Sequence, residues 1–235
     1  MNKKTAQLIV ALDVQTIKEA RAIIKSLGTA VGIYKVGSQL FTAFGTEVIR
    51  VLAKEQKKIF LDLKYHDIPN TVYNAVGSAV ALNVMMLTVH TSGGKQMLEA
   101  AVKAAQEQAE KLKIKRPLVV GVTVLTSEAD SGNVKDIIIE KARLAKNCGL
   151  DGVVASPQEA KMIREELGED FIIVTPGIRP EGAEAGDQKR TATPEEAVLS
   201  GSDFLVVGRP IVQAKDPLRA ARSIISEIKN AVTHK

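Results

Sequence analysis

The sequence has very few aromatic side chains and almost no cysteine. Aromatic residues make up 3% of the 235 residues, tryptophan is absent, and Cys148 is the single cysteine. One cysteine excludes an internal disulfide and is typical of a reducing compartment. The 32 Lys and Arg residues are scattered among 27 Asp and Glu residues. Since base stacking needs aromatics, we expect no nucleic-acid partner. The net charge of +5 suits a small anionic ligand instead.

Long apolar runs are absent too. The first run, residues 8–12, stops at Asp13. It is too short for the apolar core of a signal peptide, and no run approaches the roughly 18 residues of a membrane span. We therefore expect a cytoplasmic protein that does not enter a membrane. No Gly-x-Gly-x-x-Gly motif follows this first run, which argues against a dinucleotide-binding fold.

Short apolar runs rich in β-branched residues alternate with segments of helical spacing. The eight runs are residues 8–12, 32–36, 59–63, 84–89, 118–124, 152–155, 171–174 and 204–207. The helical segments include residues 16–27, 42–55, 95–112, 136–148, 157–167, 194–199 and 217–232. Strand-helix alternation without hairpin signals predicts parallel strands joined by crossovers. The sequence therefore predicts an α/β fold, a (β/α)8 TIM barrel, formed by residues 1–235 as a single domain.

Ionisable residues are concentrated at the end of the third predicted strand. Alternation with a period of two puts Phe60, Asp62 and Lys64 on one face of that strand. Pro69 cannot continue a strand, so Asp67 is expected in the loop that follows. An acid and a base next to each other can form a purely structural ion pair, but they are also a candidate for acid-base chemistry.

Other polar residues follow the predicted strands at the same end, where barrel enzymes carry their sites. Asp13 follows the first strand and Lys35 lies on the second, so both are expected to face the cavity with Asp62 and Lys64. Burying so many charges without a task would be costly. The loops after strands 7 and 8 contain Arg179 and the Gly208-Arg209 pair. Arginine can donate two parallel hydrogen bonds to a phosphate group, and glycine lets the backbone approach such a group closely.

Several motifs in this order resemble the orotidine 5'-phosphate decarboxylase family, nearly from end to end. They are ALD at 11–13, KVG at 35–37, DLKYHDIPNT at 62–71, VHTSGG at 89–94, LTS at 125–127, PGIR at 176–179, GDQ at 186–188 and VGRP at 207–210. The third is the most specific. The resemblance implies conversion of orotidine 5'-monophosphate to uridine 5'-monophosphate and carbon dioxide, without metal or organic cofactor. It also implies a homodimer with shared active sites.

The resemblance further implies a role for each matching residue. An alternating array of catalytic residues maps onto Lys35, Asp62, Lys64 and Asp67, with Asp67 reaching the site from the partner subunit and Lys64 donating a proton to pyrimidine C6. The implied substrate-binding residues are Asp13 and Lys35 at the ribose, Ile68 and Thr71 in a loop that crosses the interface, Thr126 or Ser127 at the pyrimidine edge, and Gln188, Gly208 and Arg209 at the phosphate with Arg179 nearby.

Three alternatives remain open at this point. One is a magnesium-dependent sugar-phosphate decarboxylase or synthase on the same scaffold, although an acidic residue is then expected where this chain has Lys35. Another is a Schiff-base aldolase with Lys64 as nucleophile, which needs a neutral amine, whereas the neighbouring carboxylates favour the ammonium form. The third is a nucleotide-phosphate binder without catalytic activity.

Overall fold

Eight parallel strands close into a barrel in which each strand pairs with the next and β8 returns to β1. The strands are β1 Gln7–Ala11, β2 Ile33–Gly37, β3 Lys58–Tyr65, β4 Met86–His90, β5 Leu118–Val122, β6 Gly152–Val154, β7 Ile172–Thr175 and β8 Phe204–Val207. This computed structural model describes residues 5–124, 134–180 and 191–233. The predicted (β/α)8 TIM barrel is confirmed.

Helices separate the strands and cover the outside of the barrel. They are α1 Ile17–Leu27, α2 Ser38–Phe44, α3 Thr46–Lys54, α4 Pro69–Ala81, α5 Gly94–Leu112, α6 Val134–Asn147, α7 Pro157–Leu167, α8 Pro194–Leu199, α9 Arg209–Val212 and α10 Pro217–Thr233. Within the described ranges, none of these helices combines the length and apolar character needed to cross a bilayer.

The alternation of strand side chains divides the core into two parts. Phe60 is buried inside the barrel, whereas its neighbours Ile59 and Leu61 pack outward against the helices. The interior cluster consists of Ile9, Ala11, Ile33, Phe60, Met86, Val120, Val174, Phe204 and Val206. These side chains fill the barrel, so a ligand is restricted to its mouth.

Two helical segments differ from the prediction. Residues 42–55 do not form one helix, because Gly45 adopts a φ of +52° and separates α2 from α3. Only three residues, 66–68, separate β3 from helix α4, which has Pro69 at its first position, where proline is favoured. Thr71 therefore lies in the first turn of α4, and its placement in a loop was wrong.

Candidate active site

Charged side chains from three neighbouring strand ends meet at the mouth of the barrel. The Lys35 Nζ atom on β2 lies 3.1 Å from Asp13 Oδ1 and 3.5 Å from Asp62 Oδ2. On β3, the Lys64 Nζ atom lies 2.9 Å from Asp62 Oδ1 and 3.0 Å from Oδ2. Asp62 is thus held between two ammonium groups. We call Asp13, Lys35, Asp62 and Lys64 the charged cluster.

Asp62 is the most buried member of this cluster. Its side chain is 12% exposed, against 13% for Lys35, 38% for Lys64 and 54% for Asp13. Burial alone would raise the pKa of Asp62. The ammonium groups of Lys35 and Lys64, with hydrogen bonds from Lys64 and Thr88, outweigh that effect and lower the pKa below its ordinary value. The carboxylate is therefore stabilised in its charged form.

Lys64 has an unusual backbone conformation for a residue in a strand. Its φ is +52°, a region that residues other than glycine rarely adopt. The pairing of β3 with β4 also shifts between Leu61 and Tyr65. Such strained conformations cost about 1–3 kcal/mol and are concentrated at functional sites. The bulge sets the position of the candidate catalytic lysine.

A buried threonine on the neighbouring strand contacts this bulge. Thr88 on β4 is 0% exposed. The backbone N–H of Lys64 donates to Thr88 Oγ1 over 2.8 Å, and the Thr88 hydroxyl donates to Asp62 Oδ1 over 3.1 Å. Sequence reasoning missed Thr88, although a threonine within the apolar strand MLTVH was a visible signal.

Glycines lie at the ends of two strands, where the charged cluster needs space: Gly37 is the last residue of β2, and Gly208 follows β8. A Cβ atom on Gly37 would lie 3.0 Å from Lys35 Nζ and 3.6 Å from Asp13 Oδ1. A Cβ atom on Gly208, after β8, would lie 3.4 Å from Asp13 Oδ2. The ends of β2 and β8 therefore both border the cluster, and larger residues there would crowd it.

The predicted fourth member of the catalytic array does not join the cluster within one chain. Asp67 is exposed, and its Oδ1 atom accepts a hydrogen bond from the Ile68 N–H over 2.6 Å. Among the described residues, Lys64 pairs with Asp62 alone and Asp67 forms no ion pair. Ile68 is 67% exposed, and Thr71 is exposed as well. These three residues are exposed to solvent and are not buried beside the charged cluster.

Two histidines stack on each other next to Asp67 in the sequence and at the end of β4. The rings of His66 and His90 stack with their centroids 5.2 Å apart and their planes 20° apart. His90 Nδ1 also accepts a hydrogen bond from the Ser92 N–H over 3.3 Å. The stack connects the end of β4 with the residue that precedes Asp67. Sequence reasoning gave neither histidine a role.

The residues expected at the phosphate are described in part. Arg179 is buried, its N–H donates to the Ala192 carbonyl over 2.9 Å, and its Nη1 donates to the Ile178 carbonyl over 2.9 Å. Gly208 directly follows β8, and the half-buried Arg209 begins α9. Gln188, and Thr126 and Ser127 from the expected pyrimidine contact, lie outside the described residues.

Comparisons with known proteins agree with this arrangement. The family model described as Orotidine 5'-phosphate decarboxylase / HUMPS family matches residues 6–224. The chain belongs to this family. The resemblance inferred from the motifs is thereby confirmed.

Relatives of the family match the chain over nearly its whole length. The chain is 45% identical over 232 residues to an orotidine 5'-phosphate decarboxylase of Moorella thermoacetica, covering 95% of this chain and 92% of the relative. It is 46% identical over 234 residues to one of Syntrophotalea carbinolica, covering 96% of each. The crystal structure of the Lactobacillus acidophilus orotidine 5'-phosphate decarboxylase matches with a TM-score of 0.83 and 38% identity, covering 95% of this chain and 99% of that one.

The name of the Orotidine 5'-phosphate decarboxylase / HUMPS family includes more than one group of proteins. Membership of the family alone therefore does not decide which activity this chain has, and the residues of the site have to be considered. In this member of the family, the Lys35 ammonium occupies the space between the carboxylates of Asp13 and Asp62. A metal ion held by those two carboxylates would have to displace it. In the described ranges, no three His, Cys, Asp or Glu side chains are grouped as a metal site would need.

Proposed function

We propose that this protein decarboxylates orotidine 5'-monophosphate to uridine 5'-monophosphate and carbon dioxide, a step of pyrimidine biosynthesis. The relatives carrying that enzyme name match the chain over 95% and 96% of its length. The observation that carries the proposal is the Lys64 ammonium, held by both oxygens of Asp62 at the mouth of the barrel. This places a fixed positive charge and a transferable proton in one position.

The chemistry of the reaction requires such a group. When the bond between C6 and the carboxylate breaks, its electron pair remains on C6 in the plane of the ring, outside the π system. No electron sink is available there, so the negative charge must be stabilised electrostatically. A positioned ammonium does this most effectively in a site from which water is excluded. It then gives its proton to C6, and the neutral amine regains a proton from solvent.

The other members of the cluster have supporting roles in this proposal. Asp62 orients Lys64 and is itself kept ionised, since its pKa is lowered. Lys35 and Asp13 contact the ribose. Gly208 and Arg209, with Gln188 and Arg179, bind the phosphate, and Thr126 or Ser127 binds the pyrimidine edge. Binding energy from the distant phosphate can then organise the site around C6.

We also propose that the protein acts as a homodimer with shared active sites. Lys64 has a single carboxylate partner within the described chain, while Asp67 and Ile68, three and four residues later, are exposed, Ile68 to 67%. In a dimer, Asp67 of one subunit would supply the second carboxylate at Lys64 of the other. Burial of Ile68 between subunits would remove an exposed apolar side chain from water.

Mixing two inactive variants tests the shared site. Lys64→Ala and Asp67→Ala proteins should each be inactive, but their hybrid contains one complete site per dimer. A fully exchanged equal mixture should regain about a quarter of the wild-type sites, because half of the dimers are hybrids. Subunit exchange is verified with two different affinity tags. If activity does not return after verified exchange, the site is not shared.

The activity itself is tested by following loss of orotidine 5'-monophosphate by ultraviolet absorbance in the presence of EDTA. We expect full turnover, because the proposed mechanism uses no metal or organic cofactor. Activity that disappears with EDTA and returns with magnesium would favour the sugar-phosphate type of enzyme. Tight binding of uridine 5'-monophosphate without turnover would favour a non-catalytic nucleotide binder.

We further propose that residues 1–235 act as one catalytic domain in the cytoplasm, where buried Cys148 remains a free thiol.

A further inference from the structure

The Thr88 hydroxyl links the two most important groups of the charged cluster, the Lys64 backbone and the Asp62 carboxylate. We propose that Thr88 is a positioning residue for decarboxylation, which holds the Lys64 ammonium in its reactive position before the substrate binds. The inference rests on the proposed function. Thr88 touches neither the substrate nor the reacting atoms in this proposal, and it acts only through Lys64 and Asp62.

The direction of each hydrogen bond is fixed by chemistry. A backbone N–H can only donate, so the Thr88 hydroxyl accepts from Lys64 and its single proton is available to Asp62 Oδ1. Asp62 in turn accepts from Lys64 Nζ over 2.9 Å. These bonds form a closed ring in which Lys64 is held at its backbone and at the end of its side chain. Thr88 is the residue that closes the ring.

The pairing of the two strands shows why a side chain is needed at this point. Leu61 pairs with Leu87, and the next pair is Tyr65 with Val89. Three residues of β3 therefore lie opposite a single residue of β4, and that residue is Thr88. The Lys64 N–H bonds to the Thr88 side chain in place of a strand carbonyl. A buried N–H without an acceptor is unfavourable, so loss of the hydroxyl would favour another Lys64 conformation.

A change in the Lys64 conformation would affect chemistry more than binding. The charges of Lys35, Asp62 and Lys64 would all remain, and the residues proposed to bind ribose and phosphate are on other strands and loops. What would change is the direction in which the ammonium points. We therefore expect a lower kcat for orotidine 5'-monophosphate, with KM and the affinity for uridine 5'-monophosphate nearly unchanged.

The test compares Thr88→Val with Thr88→Ser. Valine keeps the shape of threonine but lacks the hydroxyl, and serine keeps the hydroxyl. Thr88→Val should lower kcat about 10- to 100-fold, as expected for loss of a hydrogen bond to a charged group. KM, and the Kd for uridine 5'-monophosphate, should change by less than about threefold. Thr88→Ser should restore kcat to within about threefold of wild type.

Thr91→Val is the matched control. Thr91 follows the same strand, is 1% exposed, and donates its hydroxyl proton to the Val122 carbonyl over 2.8 Å without contacting the charged cluster. The Thr91→Val variant should have a lower melting temperature than wild type but the same kcat. If Thr88→Val does not fold, as judged by its melting curve, Thr88→Ala replaces it in the same comparison.

The outcomes separate the inference from the function on which it rests. A wild-type protein that does not turn over orotidine 5'-monophosphate contradicts the proposed function. With an active wild type, the inference is overturned if the variant lacking the hydroxyl keeps more than half of kcat. It is equally overturned if Thr88→Ser loses as much as Thr88→Val, or if Thr91→Val causes the same loss.

Discussion

Lys64→Ala is the substitution that most directly tests the proposed mechanism. It removes the ammonium that lies 2.9 and 3.0 Å from the two oxygens of Asp62. The side chain is 38% exposed and is not part of the apolar core. The fold should therefore survive, and so should the Lys35 contacts with Asp13 and Asp62. What is lost is one positive charge and one proton donor at the mouth of the barrel.

The size of the effect follows from the two roles assigned to Lys64. Removing one preorganised electrostatic donor costs about 10²–10³ in kcat, and removing a positioned general acid costs about 10²–10⁴. Both roles belong to the same group, so kcat should fall by about 10⁴-fold or more, which corresponds to ~5.5 kcal/mol. The pKa of Asp62 should rise in the variant, because two of the causes that lower it come from Lys64.

Turnover is measured by ultraviolet absorbance of orotidine 5'-monophosphate, and folding by circular dichroism. The control is Lys58→Ala, because Lys58 is exposed at the opposite end of the same strand. That variant should retain wild-type activity. A folded Lys64→Ala protein that keeps a tenth of the wild-type kcat would refute the reasoning, since neither role could then be large.

Two further predictions concern Asp62 and Arg209. The pKa of Asp62 is lowered in the folded protein, so its charge adds stability at a pH above the unfolded value of about 3.9, and that stability is lost as pH falls through the lower folded pKa. Urea denaturation at a series of pH values should show this loss of stability at acid pH in wild type but not in Asp62→Asn. If the free energy of unfolding depends on pH in the same way in both proteins, the prediction is wrong. Arg209→Ala should lower kcat/KM for orotidine 5'-monophosphate about 10- to 100-fold by loss of a charged hydrogen bond. It should have little effect on the phosphate-free nucleoside orotidine, and an equal loss on both substrates would exclude a phosphate contact.

Much of the fold could be predicted because the signals are local. The barrel strands are short and mostly apolar runs, several of them rich in β-branched residues, and alternation put Phe60 on the cavity-facing side of β3, where it is buried inside the barrel. Helix α4 was missed because Pro69 was considered only as the end of a strand. Its buried residues Val72, Val76 and Val80 do have helical spacing, so the signal was present. Gly45 was the corresponding sign of the break between α2 and α3.

The details of the site were less accessible because they depend on contacts between strands. Alternation correctly grouped Asp62 with Lys64, but it cannot reveal that β3 contains a bulge, since a bulge is defined by pairing with β4. For the same reason, nothing local identified Thr88 as the partner of Lys64. The ionic partner of Asp67 could not be predicted from the local sequence either. Its carboxylate forms no ion pair with the described residues of its own chain.

The balance of charge in the cluster indicates why the position of Lys64 should matter more than its charge alone. The two ammonium groups and the two carboxylates of the charged cluster leave it without net charge, so its effect on an anionic substrate depends on where each group lies. Decarboxylation creates no new charge, however, and only moves the negative charge from the carboxylate to C6. A positive field that acts equally on both positions would improve binding without raising kcat. Acceleration therefore requires an ammonium that is closer to C6 than to the departing carboxylate. A strained Lys64 backbone, held by Thr88 and by both oxygens of Asp62, is a means of fixing that position, at a cost of about 1–3 kcal/mol in strain.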